Sequence, residues 1–384
     1  MAISPTPHVA LIVETSKAYG RDLLRGIGRY VQLHGPWATW IDERSLDDPL
    51  PKWLSRWQGH GILARSRDLR TMQRIVDLGL PTVNLGEIDM PGVPIVDVDG
   101  RAVGVLGADH LIERGFRHFG YVGMRGVVWS DRRRDAFSTH VAAAGGTCHL
   151  CEPFTAAHRG RDWEQLRNKL ARWLVQLPKP IGVMACYDVM GRNVLGVCGE
   201  QGIAVPEEVA VVAVDNDQVL CDVAHPPLSS VDLSADRVGY EAAAMLDRLM
   251  RGKKVDSPVV LRPSGVVARP STDVTPVDDA DVMAALRFIR QRACDDIDVD
   301  DVAAGTALSR RTMERRFGQL LGRTPREEIV RVRIQRAKQL LTDTNWSVDQ
   351  VAGKAGFQHS SYMSMLFKKQ TGLTPGQYRR QAQS

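Results

Sequence analysis

The chain has 384 residues, 43% of them apolar and 25% charged, too long for one ordinary core and suited to two or three domains. Its longest early apolar run, Val9 to Val13, is too short to span a bilayer and lacks the cationic start of a secretory signal. That excludes a membrane anchor there and places the protein in the cytoplasm. Net charge is +5 but uneven: from Ser309 onward 15 Lys and Arg face 5 Asp and Glu, so the preceding residues sum to −5. A neutral-to-acidic body with a basic tail is an electrostatic footprint of nucleic-acid binding. Six cysteines in so long a chain form no disulfide framework. The one CxxC, Cys148 to Cys151, has no second CxxC to complete a four-thiolate zinc site, so no metal is expected.

Over the first 270 or so residues, β-branched runs alternate with amphipathic helical stretches. In chain order the strand candidates are HVALIV, HGILA, PTVNLG, PIVDV, HFGYVG, IGVMAC, VAVVAV and LSSVDL. The stretch Tyr19 to Gly35 places Leu23, Leu24, Ile27, Tyr30 and Val31 on one helical face. This alternation predicts parallel sheets covered by helices on both faces. The length predicts two α/β lobes, with the break near Asp99–Val105 and a return crossing near Asp232.

Residues 269–281, RPSTDVTPVDDAD, hold two prolines, small polar residues and acids, and read as a linker. The boundaries are thus 1–268 for an α/β domain and 282–384 for an all-α domain, where the periodicity is helical throughout.

That last domain writes one frame twice, MERRFGQLLGRTP from Met313 and MSMLFKKQTGLTP from Met363. Each copy follows a short helix headed by an acid (Asp300, Asp349) and a tight stretch. Ser309 in one copy and His359–Ser360 in the other then open a second helix, with the serines as N-caps. Met and Phe at i, i+4 face inward, glycine suits the left-handed C-terminal position, and proline suits the start of the next helix. Each unit is therefore a helix–turn–helix, and the shared letters are its packing frame. The outward letters differ: Arg310, Arg311, Thr312, Arg315 and Arg316 in copy one; His359, Ser360, Ser361, Ser364 and Lys368 in copy two. Two such helices can read different stretches of duplex DNA through the major groove.

This double unit, joined by RVRIQRAKQLL, resembles the AraC/XylS class of transcription activators. Gly356, Phe357, Tyr362, Phe367, Gly372, Pro375, Tyr378 and Arg379 fit that frame, with Met363 where the family often has Phe. The resemblance implies promoter half-sites, a homodimer and RNA polymerase as partners.

In the front half no GxGxxG follows the first strand, and no P-loop, GxSxG elbow or HExxH helix occurs. An enzyme, such as a sugar-processing one with a helical appendage, is therefore unsupported, and no cofactor is expected. Polar groups instead stand where open α/β sheets bind ligands, beyond the strands' C-terminal ends. These are Glu14 and Lys17, Asp188, Asp215 with Asn216, and Trp129 with Arg133 at the start of a helix. An aromatic face, an Arg fork and carboxylates are the set that holds a sugar.

HLIERGFRHFGYVG, GIAVPEEVAVVAVDND and the segment Pro226–Met250 resemble the LacI/periplasmic sugar-binding fold. The implied fold class is an α/β two-lobed periplasmic-binding-protein-like (type I) domain followed by an all-α double helix–turn–helix domain. The resemblance also implies that Arg133, Asp215, Tyr187 and Asp188 contact the sugar. The combination of a C-terminal reader with SKAYGR, the Trp129 segment and VDNDQ resembles the xylose-operon activators. That resemblance implies D-xylose as effector, with another pentose or a hexose as the alternative.

Overall fold

The computed structural model describes residues 6–86, 88–155, 163–273, 277 and 279–383. Its contacts divide the chain into two units, Met1–Val274 and Thr275–Ser384.

In the first unit, strands β1 (His8–Ile12), β2 (Ala38–Ile41), β3 (Gly61–Ala64) and β4 (Thr82–Asn84) form one sheet, ordered β2-β1-β3-β4 and parallel throughout. The chain continues through β5 (Val96–Val98), β6 (His118–Arg125), β7 (Thr147–Thr155), β8 (Ile181–Ala185), β9 (Val209–Val214) and β10 (Ser229–Asp232). It ends with β11 (Val259–Leu261) and β12 (Gly265–Val267). The second sheet runs β12-β10-β9-β8-β6-β7, parallel except for β12. The central strands β3, β8 and β9 are apolar and buried at every position, as strands covered on both faces must be.

All eight expected strands form, and β2, β7, β11 and β12 join them. The chain leaves the first lobe after β5 and returns after β10, as expected. A third crossing was not expected: β11 pairs with β5 and β12 with β10, across the three residues Arg262–Ser264. The return helix Ala235–Met250 packs on the first helix, Ala18–His34. Two glycines permit that approach, since a Cβ on Gly26 would lie 1.8 Å from the Asp236 carbonyl oxygen and one on Gly239 2.0 Å from that of Leu23.

The head of the expected linker is built into this unit. Ser271 and Thr272 are fully buried. Ser271 Oγ donates to the Val211 carbonyl at 2.6 Å, and Thr272 Oγ1 meets Ser229 Oγ at 2.7 Å and His110 Nε2 at 2.8 Å. Small polar residues therefore fasten the chain to the strands β9 and β10 here, where their composition suggests a free tether. Residues 274–276 and 278 of the expected linker lie outside the described residues.

The second unit comprises helices Ala280–Arg292, Val299–Ala304, Arg310–Leu321, Pro325–Asp343, Val348–Lys354, Ser360–Thr371 and Pro375–Gln383. They enclose two small cores. Met313, Phe317 and Ile329 belong to the first; Ile334, Ala337, Met363 and Phe367 belong to the second. The helix Pro325–Asp343 thus contributes its first half to one core and its second half to the other. The frame residues act as expected: Gly322 and Gly372 have φ of 65° and 76°, and Pro325 and Pro375 open the following helices. Ser309 caps its helix, its Oγ accepting from Thr312 N–H. The corresponding position in copy two is His359, whose side chain makes no cap; Ser360, the expected cap, is instead the first residue of the helix.

Candidate functional site

Between the lobes of the first unit lies a cleft of about 280 Å³, near the lower end of ligand pockets, which span roughly 300–1,000 Å³. The first lobe supplies Glu14, Lys17, Tyr19 and Arg65–Asp68; the second supplies Trp129, Arg133, Tyr187 and Asp215; Asp97 and Leu233 come from the crossings. A broader hollow of about 720 Å³ adjoins it and shares Asp97, Val98 and Gly100, but it has no aromatic wall.

Six of the eight residues expected at a ligand line the cleft. Glu14, at the end of β1, is 1% exposed and pairs with Arg65, whose guanidinium lies 4.6 Å from the Tyr19 ring centre. Lys17 reaches across to Tyr187, its Nζ 4.9 Å from the ring centre. Arg133 stacks on Trp129 at 4.9 Å and donates from Nη1 to the Cys186 carbonyl at 2.6 Å. The Trp129 and Tyr187 rings meet edge to face, 5.9 Å apart. Asp215 is held at φ 107°, a conformation costly for a residue with a Cβ and of the kind found where a side chain is aimed for function.

Two buried polar atoms here, Glu14 Oε2 and Arg133 Nε, have no hydrogen-bond partner among the described residues. One is an acceptor on the first lobe and the other a donor on the second. Leaving such groups unmatched costs about 1–3 kcal/mol each, more when charged.

The other two expected residues serve structure. Asp188 accepts from Asp217 N–H at 2.7 Å and from Ser230 Oγ at 2.6 Å, bracing β8 to its neighbours behind the cleft wall. Asn216 donates to Asp232 Oδ2 at 3.4 Å and accepts from Arg269 Nη2 at 2.9 Å. Neither lines the cleft. Conversely, Tyr19, Arg65, Ser66, Arg67, Asp68 and Asp97 line it without having been expected. Arg65–Asp68 follow β3 directly, so the rule that selected Glu14 also covers them.

The lining is electrically balanced, with Glu14, Asp68, Asp97 and Asp215 against Lys17, Arg65, Arg67 and Arg133. Burial lowers the Lys17 pKa, and Asp215 opposes that shift. Burial raises the carboxyl of Asp97. It also raises Asp215, against the pull of Arg133 and then Lys17. The phenols of Tyr19 and Tyr187 are pushed far up by burial and stay neutral hydroxyls. Such a cleft suits a neutral polyhydroxy ligand with one apolar face.

In the second unit the two frame helices can be laid on one register. At about 100° per residue, Arg315 points opposite the mean direction of Met313 and Phe317, and Met365 opposite that of Met363 and Phe367. Around Arg315 the outward face holds Arg311 and Thr312. Arg310 and Arg316 lie off it and are engaged. Arg310 binds Asp300 at 2.7 Å and Glu314 at 3.0 Å; Arg316 binds Asp279 at 3.1 Å and Asp281 at 3.0 Å. Ser309 is occupied as the cap. In copy two the outward face holds Ser361 and Lys368, as expected, together with Tyr362, Met365 and Lys369, which were not. Ser364 lies at its margin and Ser360 off it, both half-buried.

Family models match three segments: a XylR N-terminal domain over residues 8–96, a periplasmic binding protein-like domain over 108–272, and a helix-turn-helix domain over 302–381. The chain is 30% identical to the xylose operon regulatory protein of Haemophilus influenzae over 381 residues, covering 97% of each. It is likewise 30% identical to that of Escherichia coli K12, covering 97% of this chain and 96% of the relative. The solved structure of the xylose-binding transcription activator xylR superposes with a TM-score of 0.83 at 29% identity over 98% of both chains. The two-lobed α/β unit, the double helix–turn–helix tail and these end-to-end likenesses agree: the chain belongs to the xylose operon regulatory protein family, DNA-binding transcription regulators and not enzymes.

Proposed function

We propose that the protein is a D-xylose-responsive transcription activator in which sugar held between the lobes governs how the tail grips DNA. The observation that carries this reading is a single cleft lined from opposite lobes, by Glu14, Lys17 and Arg65 on one side and by Trp129, Arg133, Tyr187 and Asp215 on the other. A sugar that touches both walls favours the closed arrangement, and a ligand shifts an equilibrium only through such differential affinity. Charge balance favours a neutral sugar over a phosphate ester or uronate. Lys17, Trp129, Tyr187 and Asp215 complete the sugar contacts in this reading. Arg311, Thr312, Arg315, Ser361 and Lys368 face DNA. Two protomers pair on adjacent half-sites in the cytoplasm and meet RNA polymerase there; twin heads on one chain suit grooves that recur about every 34 Å.

Calorimetry with D-xylose, L-arabinose, D-ribose and D-glucose tests the sugar assignment. The expected result is tight binding of D-xylose, lost in Arg133→Ala and Asp215→Ala, with basal DNA binding in a mobility-shift assay retained by both. Wild-type sugar affinity in both variants would refute the site, and binding of a different sugar alone would replace the effector.

A further inference from the structure

Met365 is 59% exposed, on a helix whose neighbouring Leu366 packs against the core and whose Met363 and Phe367 are fully buried. On the helical wheel it marks the centre of the outward face. Ser361 stands one turn before it, and Lys368 and Lys369 stand one turn after. The position corresponds to Arg315 of the first frame helix, which is exposed and, among the described residues, donates to Gln319 of its own helix at 3.1 Å. One scaffold thus places a guanidinium at the centre of one face and a thioether at the centre of the other.

A guanidinium at that place can bond guanine O6 and N7. A thioether can do neither, and the apolar group that the major groove offers it is the 5-methyl of thymine. Methionine is unbranched and polarisable, so it can settle against a methyl at little steric cost. The small Ser361 leaves room for close approach, while Lys368 and Lys369 are spaced to reach phosphates. We propose that Met365 is a specificity-determining residue that reads a thymine methyl in the half-site under the second helix–turn–helix, where the first reads a more polar base edge. This inference rests on the outward face of the helix Ser360–Thr371 being the one that enters the groove.

The test uses the full chain with a duplex it selects from a random pool, in which each thymine is replaced singly by deoxyuridine. That change deletes only the methyl. For one thymine in one half-site, wild-type affinity should fall about fourfold, the factor equivalent to burying one methyl-sized group. In Met365→Ala, thymine and deoxyuridine at that place should bind alike. Tolerance of deoxyuridine at every position by the wild type, or an undiminished penalty in Met365→Ala, would overturn the proposal. A pool that converges on no sequence would instead overturn the DNA reading beneath it, a separate and recognisable failure.

Discussion

The Lys17 ammonium, carried by the first lobe, lies 4.9 Å from the centre of the Tyr187 ring, carried by the second. This side-chain contact joins the cleft's two walls directly. A cation over an aromatic face is worth about 0.5–2 kcal/mol, the more so where water is excluded. Tyr187→Leu keeps the apolar bulk and removes the quadrupole and the hydroxyl. It should weaken sugar binding roughly tenfold by calorimetry, and affinity equal to wild type would show that the contact plays no part in closure.

The cations of the first frame helix should separate into two groups. Arg311→Ala and Arg315→Ala should each cost about 1–3 kcal/mol at a particular base if they read edges. If they instead meet phosphate, each should lower the slope of log affinity against log salt by roughly one. Arg316 is committed to Asp279 and Asp281, at the head of the unit's first helix. Arg316→Ala should therefore leave base preference and salt slope alone, at a stability cost of about 1 kcal/mol or less. Binding to cognate and scrambled duplexes at several salt concentrations measures all three.

The connection that leads toward the tail should be sensitive to acid. His110 is 7% exposed and meets Thr272, and burial together with Arg114 pushes its pKa down to about 3. In the unfolded chain a histidine takes up its proton near pH 6.5. Between those values the unfolded state binds a proton that the folded state refuses, so stability is present above pH 6.5 and is lost as pH falls. At pH 5 the loss is roughly 2 kcal/mol. Melting curves between pH 7 and 5 should be flatter for His110→Gln by that amount, and parallel curves would remove His110 from the account.

Glu14 offers a harsher test of the cleft. Its carboxylate is the ion-pair partner of Arg65. Glu14→Gln leaves a guanidinium that is only 17% exposed without its counter-charge, a change that costs about 3–5 kcal/mol for buried pairs. The first unit should melt at a visibly lower temperature and lose sugar binding. Unchanged melting would mean that Arg65 finds another acid.

The contrast between Glu14 and Asp188 shows how far the sequence could be read. Both are carboxylates just beyond strands of a parallel sheet, and the binding-end rule selects both. One faces the cleft and the other turns back to brace Ser230 and Asp217. That choice depends on partners some thirty to forty residues away, which no local pattern encodes. The helix–turn–helix frames were legible because their spacing, glycines and prolines are local. Strands β2 and β12 were not, since both are short edges with exposed apolar residues such as Trp40 and Val267 and lack a buried period. Met365 is hard to read for a related reason, because a methionine in a helix suggests core unless Met363 and Phe367 already fill it.

The central claim is that sugar in the cleft alters the tail's hold on DNA. It is tested most directly by measuring the full chain's affinity for its selected duplex with and without saturating D-xylose. Coupling between two sites of one protein is typically about 1–3 kcal/mol, so a shift of roughly 5- to 150-fold is expected, with the same factor in sugar affinity when DNA is added. An identical DNA affinity in the two conditions, from protein shown to bind the sugar, would contradict the account.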